Sequence, residues 1–264
     1  EMDNLQTKVI LVGIGGATCS GKTTLVKHLK NILPNSVIIH QDDFAPPQEL
    51  LPIHPVYNLQ DWDAPQGAID WPRLTAFLKS VKQNGAIPPN HISRDHLNKR
   101  KDIPVDADTS QELRVRFEKL ATEQENKGVR VIWGLVDGFL LYWDKGIIDE
   151  LDIHLFLRLP QDVLKQRRRE RQGPGYRTAG KGYSLSGTLW HDPPMYWEQI
   201  VYPAYVEAHQ DMFEHGDVEN GKLTGEKEVT GAVMMEPVKK GEEMTMDDMV
   251  RRSCEVLADF MDKS

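Results

Sequence analysis

The chain has 264 residues, 39% of them hydrophobic, with 32 Lys and Arg against 40 Asp and Glu, giving a formal charge of −8. At roughly 150 residues per domain this is one large domain or two small ones, and the negative balance argues against a general binder of nucleic acid or anionic membranes. With only two cysteines, Cys19 and Cys254, a disulfide scaffold and a cysteine zinc site are both excluded.

Near the N-terminus the longest apolar run is Val9 to Val12, far short of the ~20 residues that span a bilayer. No basic region precedes it, so it reads as neither a secretory signal nor a transit peptide. A soluble cytoplasmic protein is expected. Lys8 to Gly15 is rich in β-branched residues and predicts a buried strand. A Gly-rich turn follows, then a helix from about Lys22 to Leu33 that stops at Pro34 and Asn35. Val37 to Ile39 predicts a second short strand, and strand, helix, strand in this order is the rhythm of a parallel sheet.

Phe44 to Pro72, rich in proline and aromatics, reads as a long surface loop of the kind that usually carries function. Leu74, Phe77, Leu78 and Val81 recur at helical spacing and predict a helix over Trp71 to Gln83. Gln83 to Asp108 is polar and irregular, and Ser110 to Asn126 returns to a helical pattern. Val129 to Val136 and Ile153 to Leu157 predict a third and a fourth strand. Pro160 to Arg171 predicts a basic helix, followed by a Gly-rich loop over Gly173 to Gly187. Pro193 to His215 reads as an aromatic-rich helix. Beyond it, Asp217 onward reads as loop or hairpin, with a closing helix over Met246 to Met261. No repeat or composition break forces a second domain. The expected architecture is α/β: a parallel sheet flanked by helices in one domain over residues 1–264, with a lid at about 160–192 and a C-terminal extension at about 217–264.

Gly16-Ala17-Thr18-Cys19-Ser20-Gly21-Lys22-Thr23 fits G-x-x-x-x-G-K-[ST] in full, with a strand before it and a helix after it. Such a P-loop lets backbone N–H groups wrap phosphate oxygens, while the lysine meets the β- and γ-phosphates and the Thr hydroxyl meets Mg²⁺. Residues Gly16 to Thr23 and the adjoining Thr24 are therefore candidate nucleotide contacts. Cys19 reads first as a plain loop thiol, and second as a redox site.

Two carboxylate elements lie at the ends of predicted strands, where α/β sheets place ligands: Gln41-Asp42-Asp43-Phe44 and Asp137-Gly138-Phe139. Phosphoryl transfer to an alcohol needs a group to accept the hydroxyl proton and a metal against the phosphates. Asp42 is the candidate base, and Asp137 with Thr23 the candidate Mg²⁺ holder. Asp43 reads first as a helix- or turn-capping carboxylate. Lys165-Gln166-Arg167-Arg168-Arg169-Glu170-Arg171 is the densest basic patch. On a helix Arg167 and Arg171 share a face, as do Arg168 and Arg171. Arginines of this kind clamp phosphate oxygens, and the glycines beyond would let the helix close as a lid. The plain alternative is a solvated basic face.

Together these residues resemble the nicotinamide riboside kinases, within the uridine kinase-like P-loop kinases. Trp190-His191-Asp192-Pro193-Pro194, before the aromatic helix, is similar to fungal members in particular. The resemblance runs from about Lys8 to Phe213 and leaves 92–108 and 217–246 unmatched. It implies ATP- and Mg²⁺-dependent phosphorylation of the 5′-hydroxyl of nicotinamide riboside, with nicotinic acid riboside a further candidate. The partner it implies is a small-molecule nucleoside, with a monomer or weak homodimer expected. By position, Asp42 matches the base, Asp63 a ribose-binding carboxylate and Arg168 the lid arginine that reaches the ribose. Arg171 falls on the nucleotide side. Trp62 matches an aromatic that stacks on the base, and Tyr183 the opposing one, with Tyr176 its competitor. Asp192 matches a further substrate carboxylate and also fits a helix cap before Pro193. Thr23 and Asp137 match the Mg²⁺ positions, though many members carry Glu at the latter. A cationic pyridinium would be drawn to an aromatic face such as Trp62 by about 0.5–2 kcal/mol. A uridine/cytidine-type kinase is the nearest alternative, and a nucleotide-dependent switch is the alternative of another class.

Overall fold

The computed structural model describes residues 5–95, 101–172, 192–225, 229 and 231–263. Strand β1 (Gln6–Gly16) is followed by α1 (Lys22–Ile32) and β2 (Ser36–His40). Next come α2 (Trp71–Asn84), α3 (Ala107–Asn126), β3 (Val129–Gly138), α4 (Lys145–Glu150) and β4 (Ile153–Leu157). Helix α5 (Gln161–Gln172), a π-helical turn at Trp197–Val201, α6 (Tyr202–His209), β5 (Val233–Met235) and α7 (Met246–Lys263) complete the order. The strands form one parallel sheet in the order β2-β3-β1-β4-β5.

β1 is the central strand, and its residues from Ile10 onward are buried without interruption. That explains its continuous apolar run: a strand covered on both faces does not alternate. Helices α1, α3 and α7 pack on one another and on the sheet, and α2 packs on α4 and β1. The chain leaves β1 toward β2 on one side, and β3 crosses back to β4 on the other. The carboxyl ends of β1 and β3 therefore lie at a topological switch point, where such sheets bind ligands.

The four predicted strands and most of the predicted helices are present. α3 begins before Ser110 because the Asp106 side chain accepts from Thr109 N at 2.9 Å and caps an earlier turn. The single helix expected over Pro193 to His215 is instead a π-helical turn, α6 and two short 3₁₀ turns. A positive φ of 59° at His215 closes the last of them. Asp217 onward contributes the short strand β5 rather than only loop or hairpin. Arg158 ties that strand in: its Nε donates to Glu236 at 2.9 Å, and its backbone N donates to Met235 O at 3.0 Å. Among the described residues, no helix is long and apolar enough to cross a membrane.

Candidate active site

The loop between β1 and α1 takes its shape from backbone conformations that few residues tolerate. Gly16 has φ +134°, and a Cβ there would come within 2.4 Å of the Leu157 carbonyl oxygen. Cys19 and Gly21 also have positive φ, at 66° and 99°. The helix then starts at Lys22, with Leu25 N donating to Gly21 O at 3.1 Å. Lys22 is buried; its ammonium donates to Ala17 O at 2.6 Å and lies 3.5 Å from Ser20 Oγ, so the charge is held within the loop. Thr24 stands next on the first turn, half-buried.

Asp137 sits near the end of β3, in register with Ile14 of β1 and His40 of β2. Register alone thus brings its carboxylate to the P-loop. Thr23 Oγ1 donates to Asp137 Oδ2 at 2.5 Å, and His40 Nδ1 lies 2.7 Å from Asp137 Oδ1. Burial pushes the Asp137 carboxyl up, but the hydrogen bond and charge of His40, the Thr23 hydroxyl and the Lys22 charge outweigh it and hold it below the usual range. Burial pushes His40 down, and Asp137, Asp95 and Asp43 together carry it above its ordinary value. Among the described residues there is no group of three or more His, Cys, Asp or Glu able to cage a metal. A hydroxyl–carboxylate pair beside a phosphate cradle fits Mg²⁺, which keeps waters and takes most of its oxygens from substrate phosphates.

Gln41 to Phe44 forms a 3₁₀ turn directly after β2. Asp42 is exposed on it while Gln41 and Phe44 are buried. Gln41 Oε1 accepts from Leu140 N at 2.9 Å and fills the space where a Cβ on Gly138 would come within 2.4 Å. The Asp137-Gly138 pair is therefore strand, not turn, and its glycine admits the side chain that clamps the Asp42 element. Asp43 is a structural anchor: its Oδ1 accepts from Arg94 N at 2.9 Å.

The second wall comes from more distant parts of the chain. Asp61, Trp62 and Asp63 are all buried, with Asp63 N donating to Asp61 Oδ1 at 3.0 Å. Burial first, and then the Asp63 charge, raise the Asp61 carboxyl. Tyr196 pins this turn: its hydroxyl donates to Gln60 O at 2.8 Å and accepts from Trp62 N at 3.3 Å. From α5, Arg168 forks onto Asp192, with Nε 2.5 Å from Oδ2 and Nη2 2.9 Å from Oδ1. Burial lowers the Arg168 pKa, but the Asp192 and Asp63 charges more than reverse this. Arg167 donates to the carbonyl of Cys19 at 3.3 Å and so joins α5 to the P-loop. Arg171 lies a turn further along α5, half-buried. A narrow cavity with about 10 Å³ of free volume, on the order of one water, runs between the two walls and is lined by Ala17, Thr18, Asp63, Leu140, Trp197 and Tyr205, among others.

The structure places the P-loop, Asp42 and Asp137 at the carboxyl ends of β1, β2 and β3, and Asp63, Arg168 and Asp192, to which the resemblance points, in the second wall. Tyr183 and Tyr176 lie outside the described residues. Arg167 falls in the basic patch that the helical pairing with Arg171 marks. Gln41, His40 and Tyr196 carry no such mark, because they act through long-range contacts that leave no local pattern.

No family model matches the chain. The nicotinamide riboside kinase of Saccharomyces cerevisiae is 33% identical over 213 residues, covering 80% of this chain and 82% of that protein. That of Schizosaccharomyces pombe is 32% identical over 220 residues, covering 82% and 85%. The chain belongs to the nicotinamide riboside kinase family. Human nicotinamide riboside kinase 2 is 29% identical over 207 residues, covering 78% of this kinase and 70% of that protein. Membership makes the enzyme a P-loop phosphotransferase, and the family implies ATP as its donor.

Proposed function

We propose that this kinase transfers the γ-phosphoryl group of ATP to the 5′-hydroxyl of nicotinamide riboside, giving nicotinamide mononucleotide in NAD biosynthesis. One observation carries the reading beyond family membership. Asp42 is exposed on a turn whose neighbours Gln41 and Phe44 are buried, at the end of the strand adjoining Asp137. An exposed carboxylate on a clamped support suits a base that must meet a substrate hydroxyl and take its proton as the O–P bond forms.

In this reading the residues from Gly16 to Thr24 hold the phosphates. Lys22 exchanges its contacts with Ala17 and Ser20 for the β- and γ-phosphate oxygens. Thr23 and Asp137 hold Mg²⁺, which neutralises developing charge on the transferring group when bound. Arg168 and Asp192, already paired, present guanidinium and carboxylate to the ribose hydroxyls beside Asp63. Arg167 and Arg171 set the lid helix against the nucleotide side, and its closure excludes water as a competing acceptor. Trp62 offers a ring face to the pyridinium, and the carboxylates beside it complement that positive charge.

The test is ADP release with Mg-ATP and a panel of acceptors: nicotinamide riboside, nicotinic acid riboside, uridine, cytidine and none. Stimulation by the pyridine ribosides is the expected result. Stimulation by uridine or cytidine alone would move the substrate, and silence with every acceptor despite tight ATP binding would overturn the kinase reading.

A further inference from the structure

A stretch with no counterpart in the resemblance reaches into this site. After α2 the chain returns across the Asp42 element. The His91 ring lies 4.6 Å from Phe77 and 5.6 Å from Phe44, centroid to centroid. Arg94 N fixes Asp43, as described, and Asp95 follows at once. Asp95 Oδ2 accepts from Lys27 Nζ of α1 at 2.9 Å and stands 3.8 Å from His40 Nε2. Through His40 the path continues to Asp137 Oδ1 at 2.7 Å, and through Asp137 Oδ2 to Thr23 Oγ1 at 2.5 Å. Lys27, Asp95, His40, Asp137 and Thr23 thus form one chain of polar contacts, with its three central members largely withdrawn from solvent.

We propose that His40 is a positioning residue for the metal-holding pair. It donates from Nδ1 to one oxygen of Asp137, so that the other oxygen faces Thr23, while Asp95 holds the far side of its ring. The inference rests on the proposed Mg²⁺ role of Thr23 and Asp137. An ionised carboxylate only accepts hydrogen bonds, so the nitrogen beside Asp137 carries the proton. A carboxylate free to rotate would point at Thr23 only part of the time; one gripped at Oδ1 is fixed. Groups that orient metal-holding residues in this way typically change metal affinity or activity about 10- to 100-fold when replaced. The geometry gives Asp95, from a segment outside the family pattern, a part in tuning that grip.

The experiment measures nucleotide binding without turnover. Affinity for a non-hydrolysable ATP analogue is determined with excess Mg²⁺ and with chelator, and the ratio is the metal's contribution. His40→Phe should reduce that ratio by about tenfold or more, with the affinity in chelator unchanged. His40→Asn puts an amide N–H near the Nδ1 position and should keep the ratio within a few-fold of the unsubstituted kinase. Asp95→Asn should lower it in the same direction by less. If His40→Phe lowers both affinities alike, or if His40→Asn is as damaging as His40→Phe, His40 is a packing residue and the proposal fails. Should His40→Phe not fold, the Asn variants at both positions decide, and an unaltered ratio in Asp95→Asn combined with a lost ratio in His40→Asn overturns the relay. An unsubstituted kinase whose analogue binding ignores Mg²⁺ would overturn the metal role itself, and this inference with it. Unaltered ratios in all the variants would sink the positioning role alone.

Discussion

In the proposed function one wall of this site takes the nucleotide and the other the acceptor, and the two are built in different ways. The P-loop wall is mostly main chain. Its loop is drawn by positive φ angles at Gly16, Cys19 and Gly21, its helix start by the backbone, and its carboxylate by strand register. The acceptor wall is mostly side chain. Tyr196 holds a turn far from it in sequence, and Arg168 holds Asp192 across the segment between them. A main-chain cradle loses function when one reacting side chain goes but keeps its shape. A wall of mutual side-chain contacts loses shape when any member goes, and shape is what sets acceptor affinity.

Substitutions that separate chemistry from shape sharpen the contrast, and the largest effect belongs to Asp42. Asp42→Asn should lower kcat by about 10²–10⁴, with ATP affinity and melting temperature held, because the side chain is exposed and its support rests on Gln41 and Phe44. Isothermal titration beside steady-state rates checks it; a variant that keeps normal turnover removes Asp42 from the chemistry. Lys22→Ala comes next, with kcat down about 10²–10³, the size of loss seen when one charge-stabilising donor is removed. Its ammonium donates to Ala17 O and lies near Ser20 Oγ, both within the loop, and the thermal midpoint should move little. A collapsed midpoint with an intact rate would reverse the assignment.

On the other wall the expected signature is different. Asp192→Asn should raise KM for the acceptor about tenfold, leave KM for ATP near its starting value, and cost stability as well. Breaking a fully buried ion pair costs ~3–5 kcal/mol. With side-chain exposures of 14% and 10% for Arg168 and Asp192, solvent screening brings the expectation to about 2 kcal/mol. Chemical denaturation of Asp192→Asn, Arg168→Gln and the double variant measures it. If the double variant loses as much stability as the two single losses added together, the pair is not coupled and the wall is not held by it.

The same contrast explains what was legible in the sequence. The readable features were local: the P-loop spacing, the runs of β-branched residues in β1 to β4, the helical period of α2 and α7. Asp137 was readable because it ends a strand. Most of what stayed hidden depends on contacts between distant residues. β5 is only Val233–Met235, too short to show a period, and exists because β4 offers it an edge and Arg158 ties it down. The short helix α4 gives no amphipathic signal; it is started by Asp144, whose carboxylate accepts from Ile147 N at 3.2 Å. Gln41 carries no motif of its own, since its role comes from Gly138, distant in sequence, leaving room for it. The resemblance supplied Asp63, Trp62 and Arg168 where spacing could not.

Tyr196→Phe is the smallest and most selective test of the comparison, since it removes one oxygen and little volume. That oxygen bonds Gln60 O and Trp62 N, the two ends of the turn that carries Asp61 and Asp63. Its loss leaves buried backbone groups short of a partner, with an expected cost of about 1 kcal/mol in stability. The P-loop takes its side-chain contacts elsewhere, Thr23 on Asp137 of β3 and the Cys19 carbonyl on Arg167 of α5. Acceptor KM should therefore rise about five-fold, the factor that ~1 kcal/mol corresponds to, while ATP affinity and kcat at saturating acceptor stay within two-fold of their starting values. An equal rise in both KM values would mean that the two walls move as one body. An unchanged acceptor KM would mean that the Asp61–Asp63 turn keeps its shape without the tyrosine, and that its rigidity comes from the hydrogen bond that Asp63 N donates to Asp61 Oδ1 instead.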